Sequence, residues 1–138
     1  MTATRFIIAI VLAATLGGCA QQIDMAKIKQ HQLEVQKMQT SVFDTNNKNA
    51  IIRGVIAALQ DLDFNISNAD TEQGLITAKK FGTYPIDMTV TIQTVSSTQI
   101  LVHAIAQNNL KTLEESALYD RFFTTLKSYI PENFRATR

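Results

Sequence analysis

Nine consecutive apolar side chains, Phe6 to Ala14, follow Arg5, the only charged residue before Asp24, and are closed by Gly17-Gly18. A positive start, an apolar stretch and then small residues is the order of a secretory signal, which is removed and takes no part in the mature fold. The stretch is too short to cross a bilayer, because a spanning helix needs about 20 apolar residues. What remains to fold is therefore expected to fold outside the cytoplasm. The chain has one cysteine, Cys19, so no intramolecular disulfide can form even where the compartment permits one. Stability must come from packing.

The run closes on Leu16-Gly17-Gly18-Cys19, which resembles the lipobox of bacterial lipoproteins: a leucine and two small residues before an obligatory cysteine. The resemblance implies that residues 1–18 are a signal peptide cut away before Cys19. The Cys19 thiol then carries a diacylglycerol, and the new amine carries an acyl chain. Two or three such chains, at about 0.8 kcal/mol per buried methylene, make a stable attachment. In proteobacterial lipoproteins an aspartate directly after the modified cysteine retains the protein in the inner membrane, and here that position is Ala20. The resemblance therefore implies the periplasmic face of the outer membrane, with the inner membrane as the alternative.

Of 13 basic residues Arg5 leaves with the signal, so 12 remain against 12 acidic ones. A near-neutral chain lacks the basic face that nucleic acid requires. The length after cleavage suits one domain. Residues 19–38 are rich in Gln and Lys with apolar side chains at no clean period, and are expected to be a lipidated N-terminus and tether, extended or loosely helical. A segment that orders on a partner is the other reading.

From residue 39 to residue 131 the pattern becomes that of a single α+β domain. Residues 38–43 suit a short strand, stopped by Asp44-Thr45-Asn46-Asn47. Ile51, Ile52, Val55, Ile56, Leu59 and Leu62 then recur at helical spacing over residues 48–62. Phe64 and Ile66 alternate with polar neighbours, and Asp70 to Gly74 reads as a turn in which Gly74 takes positive φ. Residues 75–81 return as the second arm of a hairpin. Met88, Val90 and Ile92 fall on one face of the next strand, and residues 99–107 are apolar on both faces, which places that strand centrally. Leu118, Phe122, Leu126, Tyr129 and Ile130 mark a second amphipathic helix over residues 113–130, ended by Pro131. Residues 132–138 are expected to be a mobile tail.

The order β-α-β-β-β-β-α predicts an antiparallel sheet of four to five strands with two helices on one face. It is similar to the helix-grip domains of the lipoprotein C subunit of the outer-membrane β-barrel assembly machinery. The segment Leu59-Gln60-Asp61-Leu62-Asp63-Phe64-Asn65-Ile66, followed by Ala69-Asp70 and Gly74-Leu75-Ile76, carries that likeness at the helix-to-hairpin junction. It is a likeness of pattern, from which no functional residue carries over.

Catalytic chemistry is not legible. A triad or a zinc site needs several His, Cys or carboxylate groups converging, and neither His31, in the tether, nor His103, in a strand, has such neighbours in sequence. His103 is expected to be a half-buried structural histidine and His31 a solvated one. Asp61, Asp63, Asp70, Glu72, Glu114 and Glu115 sit at helix ends and turns, where local structural duties explain them. No metal is expected, and no cofactor beyond the covalent lipid.

One cluster stands out as a candidate interaction edge: Lys79, Lys80, Phe81 and Tyr84. Cations and aromatics together suit a protein partner or lipid headgroups. The plainer reading is a solvated strand end whose lysines discourage edge pairing. The expected function is a noncatalytic accessory or adaptor lipoprotein of a cell-envelope assembly, of the barrel-assembly, secretion, conjugation or efflux type, with other envelope proteins as partners. The alternative is a module for a lipid or small apolar ligand, held in a pocket lined by residues such as Met88, Val90, Phe122 and Leu126. A small enzyme would require His103 or distant carboxylates to converge in a cleft.

Overall fold

The computed structural model describes residues 24–135. The expected signal peptide and lipobox, with Cys19 and Ala20, lie outside the described residues, as do positions 136–138. The described chain is α+β, and its elements are α1 (Met25–Gln39), β1 (Thr40–Phe43), α2 (Lys48–Asp61), β2 (Asn65–Asp70), β3 (Leu75–Lys80), β4 (Ile86–Ser96), β5 (Gln99–Asn108), β6 (Lys111–Thr112), α3 (Ser116–Tyr129) and a 3-10 turn (Glu132–Phe134). The sheet is open and antiparallel, in the order β1-β5-β4-β3-β2, with β6 extending the β1 side of β5.

Period-two alternation decides which face is buried. In β4, Met88, Val90 and Ile92 are almost fully buried, and in β5 so are Ile100, Val102, Ala104 and Ala106. These side chains meet Ile51, Val55, Ala58 and Leu59 of α2 and Tyr119, Phe122 and Leu126 of α3 in one core. As expected, α2 and α3 cover one face and β5 lies inside the sheet. The helices approach closely at Gly54, where an added Cβ would stand 3.1 Å from Ile130 Cγ1 and 3.3 Å from Leu126 Cδ1. Ile56 and Leu62, assigned to the stripe by spacing, are only half-buried at the margin of the core.

Three differences from the expected architecture have physical causes. The tether is a regular helix over most of its length: α1 begins at the Asp24 cap, whose side chain accepts from Ala26 N at 3.1 Å. Its Lys, Gln, Glu, Met and Leu residues all favour helix. It lacks an apolar period because only its last turn is covered, with Met38 against the core and Gln39 buried. The domain therefore has three α-helices, with α1 against β1, β5 and α3. Second, α3 starts at Ser116, not at residue 113, because Leu113 N–H is held by Ala106 O at 2.8 Å as the chain leaves the β5–β6 hairpin. Third, the expected mobile tail is anchored through Arg135. Asp44 N–H donates to Phe134 O, Arg135 bridges to Phe43, and the Arg135 guanidinium caps the Lys127 and Ile130 carbonyls at the end of α3.

Turn chemistry follows the backbone at Gly74, where φ is +74° and an added Cβ would stand 2.4 Å from Ile92 O. The β5–β6 turn does not follow it. Asn109 and Leu110 have φ of 47° and 65°, the pairing of positive values that two-residue hairpins usually give to Asn-Gly. A leucine there costs about 1–2 kcal/mol, and its side chain is 90% exposed.

Candidate functional site

The four residues of the candidate edge lie together, but they divide in two. Lys79 and Lys80 end β3, and both ammonium groups are engaged within the domain. Lys79 Nζ lies 3.3 Å from Asp87 Oδ1, on its cross-strand partner in β4. Lys80 Nζ donates to Leu62 O at 3.0 Å, stands 4.0 Å from Asp63 and lies 5.8 Å from the centre of the Phe64 ring. Lys80 thus satisfies a terminal carbonyl of α2, just where Asp63 takes the left-handed conformation (φ 65°) and Phe64 N–H reaches back to Leu59 O.

Phe81 and Tyr84, in the loop that joins β3 to β4, are 71% and 58% exposed. The Asn108 side-chain amide donates to Pro85 O and ties this loop to the β5–β6 turn, where Leu110 projects. Sequence reasoning missed Leu110. Its only signal is an Asn-Leu pair between two segments that prove to be strands.

A second surface lies beside α1. An open groove of about 750 Å³ is lined in part by Leu33, Gln36, Lys37, Val42, Leu101 and His103. It runs along the β1 and β5 side chains that point away from the main core. His103 is half-buried there, as expected, with Nδ1 3.2 Å from Thr40 Oγ1. Met88, Val90, Phe122 and Leu126, which the alternative reading expects to line a ligand pocket, are instead buried in the packed core between sheet and helices.

The remaining titratable groups stay dispersed. His31 lies 2.8 Å from Glu114 across α1 and the segment before α3, both side chains being about half exposed or more. Glu114 and Glu115 precede α3 and do not form its first turn. Asp70 Oδ1 accepts from Gln73 N in the β2–β3 turn, and the Glu72 carbonyl accepts from Lys48. The Tyr129 phenol is pushed above its ordinary value by desolvation and then by Asp61. Among the described residues no three His, Cys, Asp or Glu side chains are placed to hold a metal ion. Among them, too, no helix is long and apolar enough to cross a membrane. No known protein-family model matches the chain, and no curated protein matches it in sequence.

Proposed function

We propose that this chain is a noncatalytic lipoprotein, held by acyl chains on Cys19 at the periplasmic face of a membrane, and that it acts as an adaptor subunit of a cell-envelope assembly. The observation that carries the proposal is the position of the one cysteine, which directly follows the apolar run and Gly17-Gly18 and stands five residues before the cap of α1. Ala20 in place of aspartate favours the outer membrane. Support for an adaptor role comes from the open groove beside α1, where Leu33, Val42 and Leu101 are accessible to a partner.

Metabolic labelling with a fatty-acid analogue tests the anchor. Label is expected on the wild-type protein and not on Cys19→Ala, since no other thiol exists; equal label on both would remove the proposal. Crosslinking in intact cells followed by purification tests the adaptor role, with one recurrent envelope protein as the expected product. A second reading, a module for a small apolar ligand, draws on the groove and its Leu33, Val42 and Leu101 side chains. A fluorescent fatty acid that binds wild type and not Leu101→Asp would favour it.

A further inference from the structure

The position of the first turns of α1 follows from the contacts of its later ones. His31 lies beside Glu114, Gln39 Nε2 reaches Tyr119 Oη, and Thr40 pairs with His103. The helix therefore runs alongside β5 in the opposite direction, and its first turns project past Glu114. Seven residues separate His31 from Asp24, about 10 Å of helix. On the strand side, Ala106 O holds Leu113 N, next to Glu114, and the chain runs three residues from Ala106 to Asn109, about 10 Å of strand. The start of α1, the β5–β6 turn and the β3–β4 loop thus reach a similar height at one end of the molecule.

Apolar exposure concentrates at that end. Eight large apolar side chains are exposed among the described residues, and five of them are there: Met25, Ile28, Phe81, Tyr84 and Leu110. Leu110 is held in a left-handed conformation with its side chain 90% exposed, so the domain itself provides no contact that explains a leucine at this position. Nearby charges are mixed, with Lys27, Lys79 and Lys111 near Asp24, Asp63 and Asp87, so the surface neither strongly repels nor depends on anionic headgroups. The five residues from Cys19 to Asp24 span at most about 17 Å even when fully extended.

We propose that this end, bearing Met25, Ile28, Phe81, Tyr84 and Leu110, seats in the lipid interface of the membrane that holds Cys19. The inference rests on the proposed acylation of Cys19 and adds to it a fixed orientation. Tyr84 and Phe81 supply the aromatic contacts favoured at the interface, and Leu110 supplies an apolar tip. The domain then stands on the bilayer with its β2–β3 and β4–β5 turns pointing into the periplasm.

The chain contains no tryptophan, so single tryptophans report without background. Full-length mature protein carrying Tyr84→Trp, Leu110→Trp or Thr98→Trp is purified from membranes and its acylation is measured by mass spectrometry. It is then reconstituted in vesicles of phosphatidylethanolamine with a minority of phosphatidylglycerol, with and without lipids brominated on the upper acyl chain. Blue-shifted emission, strongly quenched by the brominated lipids, is expected for Tyr84→Trp and Leu110→Trp. Thr98→Trp, at the opposite end, is expected to keep water-exposed emission. Acylated protein whose Tyr84→Trp and Leu110→Trp emission is unquenched overturns the orientation alone. If that emission is blue-shifted without quenching, a second copy of this chain covers this end and the membrane orientation is overturned. An unacylated Cys19 removes the proposed function and this inference with it.

Discussion

Replacing Tyr119 by Phe deletes one oxygen and keeps the ring, so it isolates a single polar junction. Tyr119 is fully buried, and its hydroxyl donates to Leu113 O at 2.6 Å while accepting from Ala106 N at 3.1 Å and from Gln39 Nε2 at 3.2 Å. One donor and two acceptor sites are thus all used. The junction ties α3 to the end of β5, to the segment after β6 and to the last residue of α1. Without the oxygen the Gln39 amide can turn toward solvent, but the Ala106 N–H and Leu113 carbonyl lose a partner inside the protein. Each orphaned buried group costs about 1–3 kcal/mol, so a loss of roughly 2–6 kcal/mol is expected for the two. Against a total of about 5–15 kcal/mol that is a large share. At roughly 4 °C per kcal/mol, a drop of roughly 8–24 °C in Tm follows. Urea denaturation of a soluble chain beginning at Ala20, followed by circular dichroism, measures it, with Tyr129→Phe as the exposed control expected to change by less than about 0.5 kcal/mol. If Tyr119→Phe matches that control at an unchanged m-value, the hydroxyl does not hold the junction and the reasoning fails.

Gly74→Ala is expected to destabilise by about 2 kcal/mol or more, because positive φ and the 2.4 Å approach to Ile92 O act together; a Tm equal to wild type would refute this. Leu110→Gly is expected to raise stability by roughly 0.5–1 kcal/mol in the same assay, since it relieves a left-handed leucine at an exposed turn. Lys80→Ala removes the donor to Leu62 O and is expected to lower stability by about 1 kcal/mol, whereas Lys79→Ala, whose ion pair is solvent-exposed, is expected to change it by less than about 0.5 kcal/mol. His103→Gln in folded protein is expected to leave an adaptor's cellular role intact, and complete loss of that role would revive the enzyme reading.

Elements with a buried face along their whole length were legible. The spacing of Ile51, Val55 and Leu59, the alternation of Met88, Val90 and Ile92 and the two-faced apolarity of β5 each reflect continuous burial, and each sits where the pattern places it. What escaped depends on partners distant in the chain. The last turn of α1 is buried by Tyr119, 80 residues away, so α1 lacks the periodicity that would announce it. Tyr119 itself lies between the stripe residues Leu118 and Phe122, and nothing local marks its hydroxyl as a junction. Residues 132–135 read as a tail because their attachments, Phe43, Asp44 and the end of α3, belong to other elements. At the candidate edge, sequence grouped two lysines with two aromatics. Only the fold separates the lysines, engaged with Leu62, Asp63 and Asp87, from the aromatics that remain exposed.

The pairing of β1 with β5 has a kinetic consequence. Thr40 meets His103 and Phe43 meets Ile100, so the first strand to leave the ribosome has no partner until most of the chain has followed it. Contacts this distant in sequence close late and slow folding. The central β2–β3–β4–β5 meander can assemble from neighbours, while α1 and β1 must wait beside an unfinished edge. The export proposed for this chain would gain from that order, because α1 and β1, the described elements nearest the proposed signal, are the ones least able to fold before the rest of the chain is made.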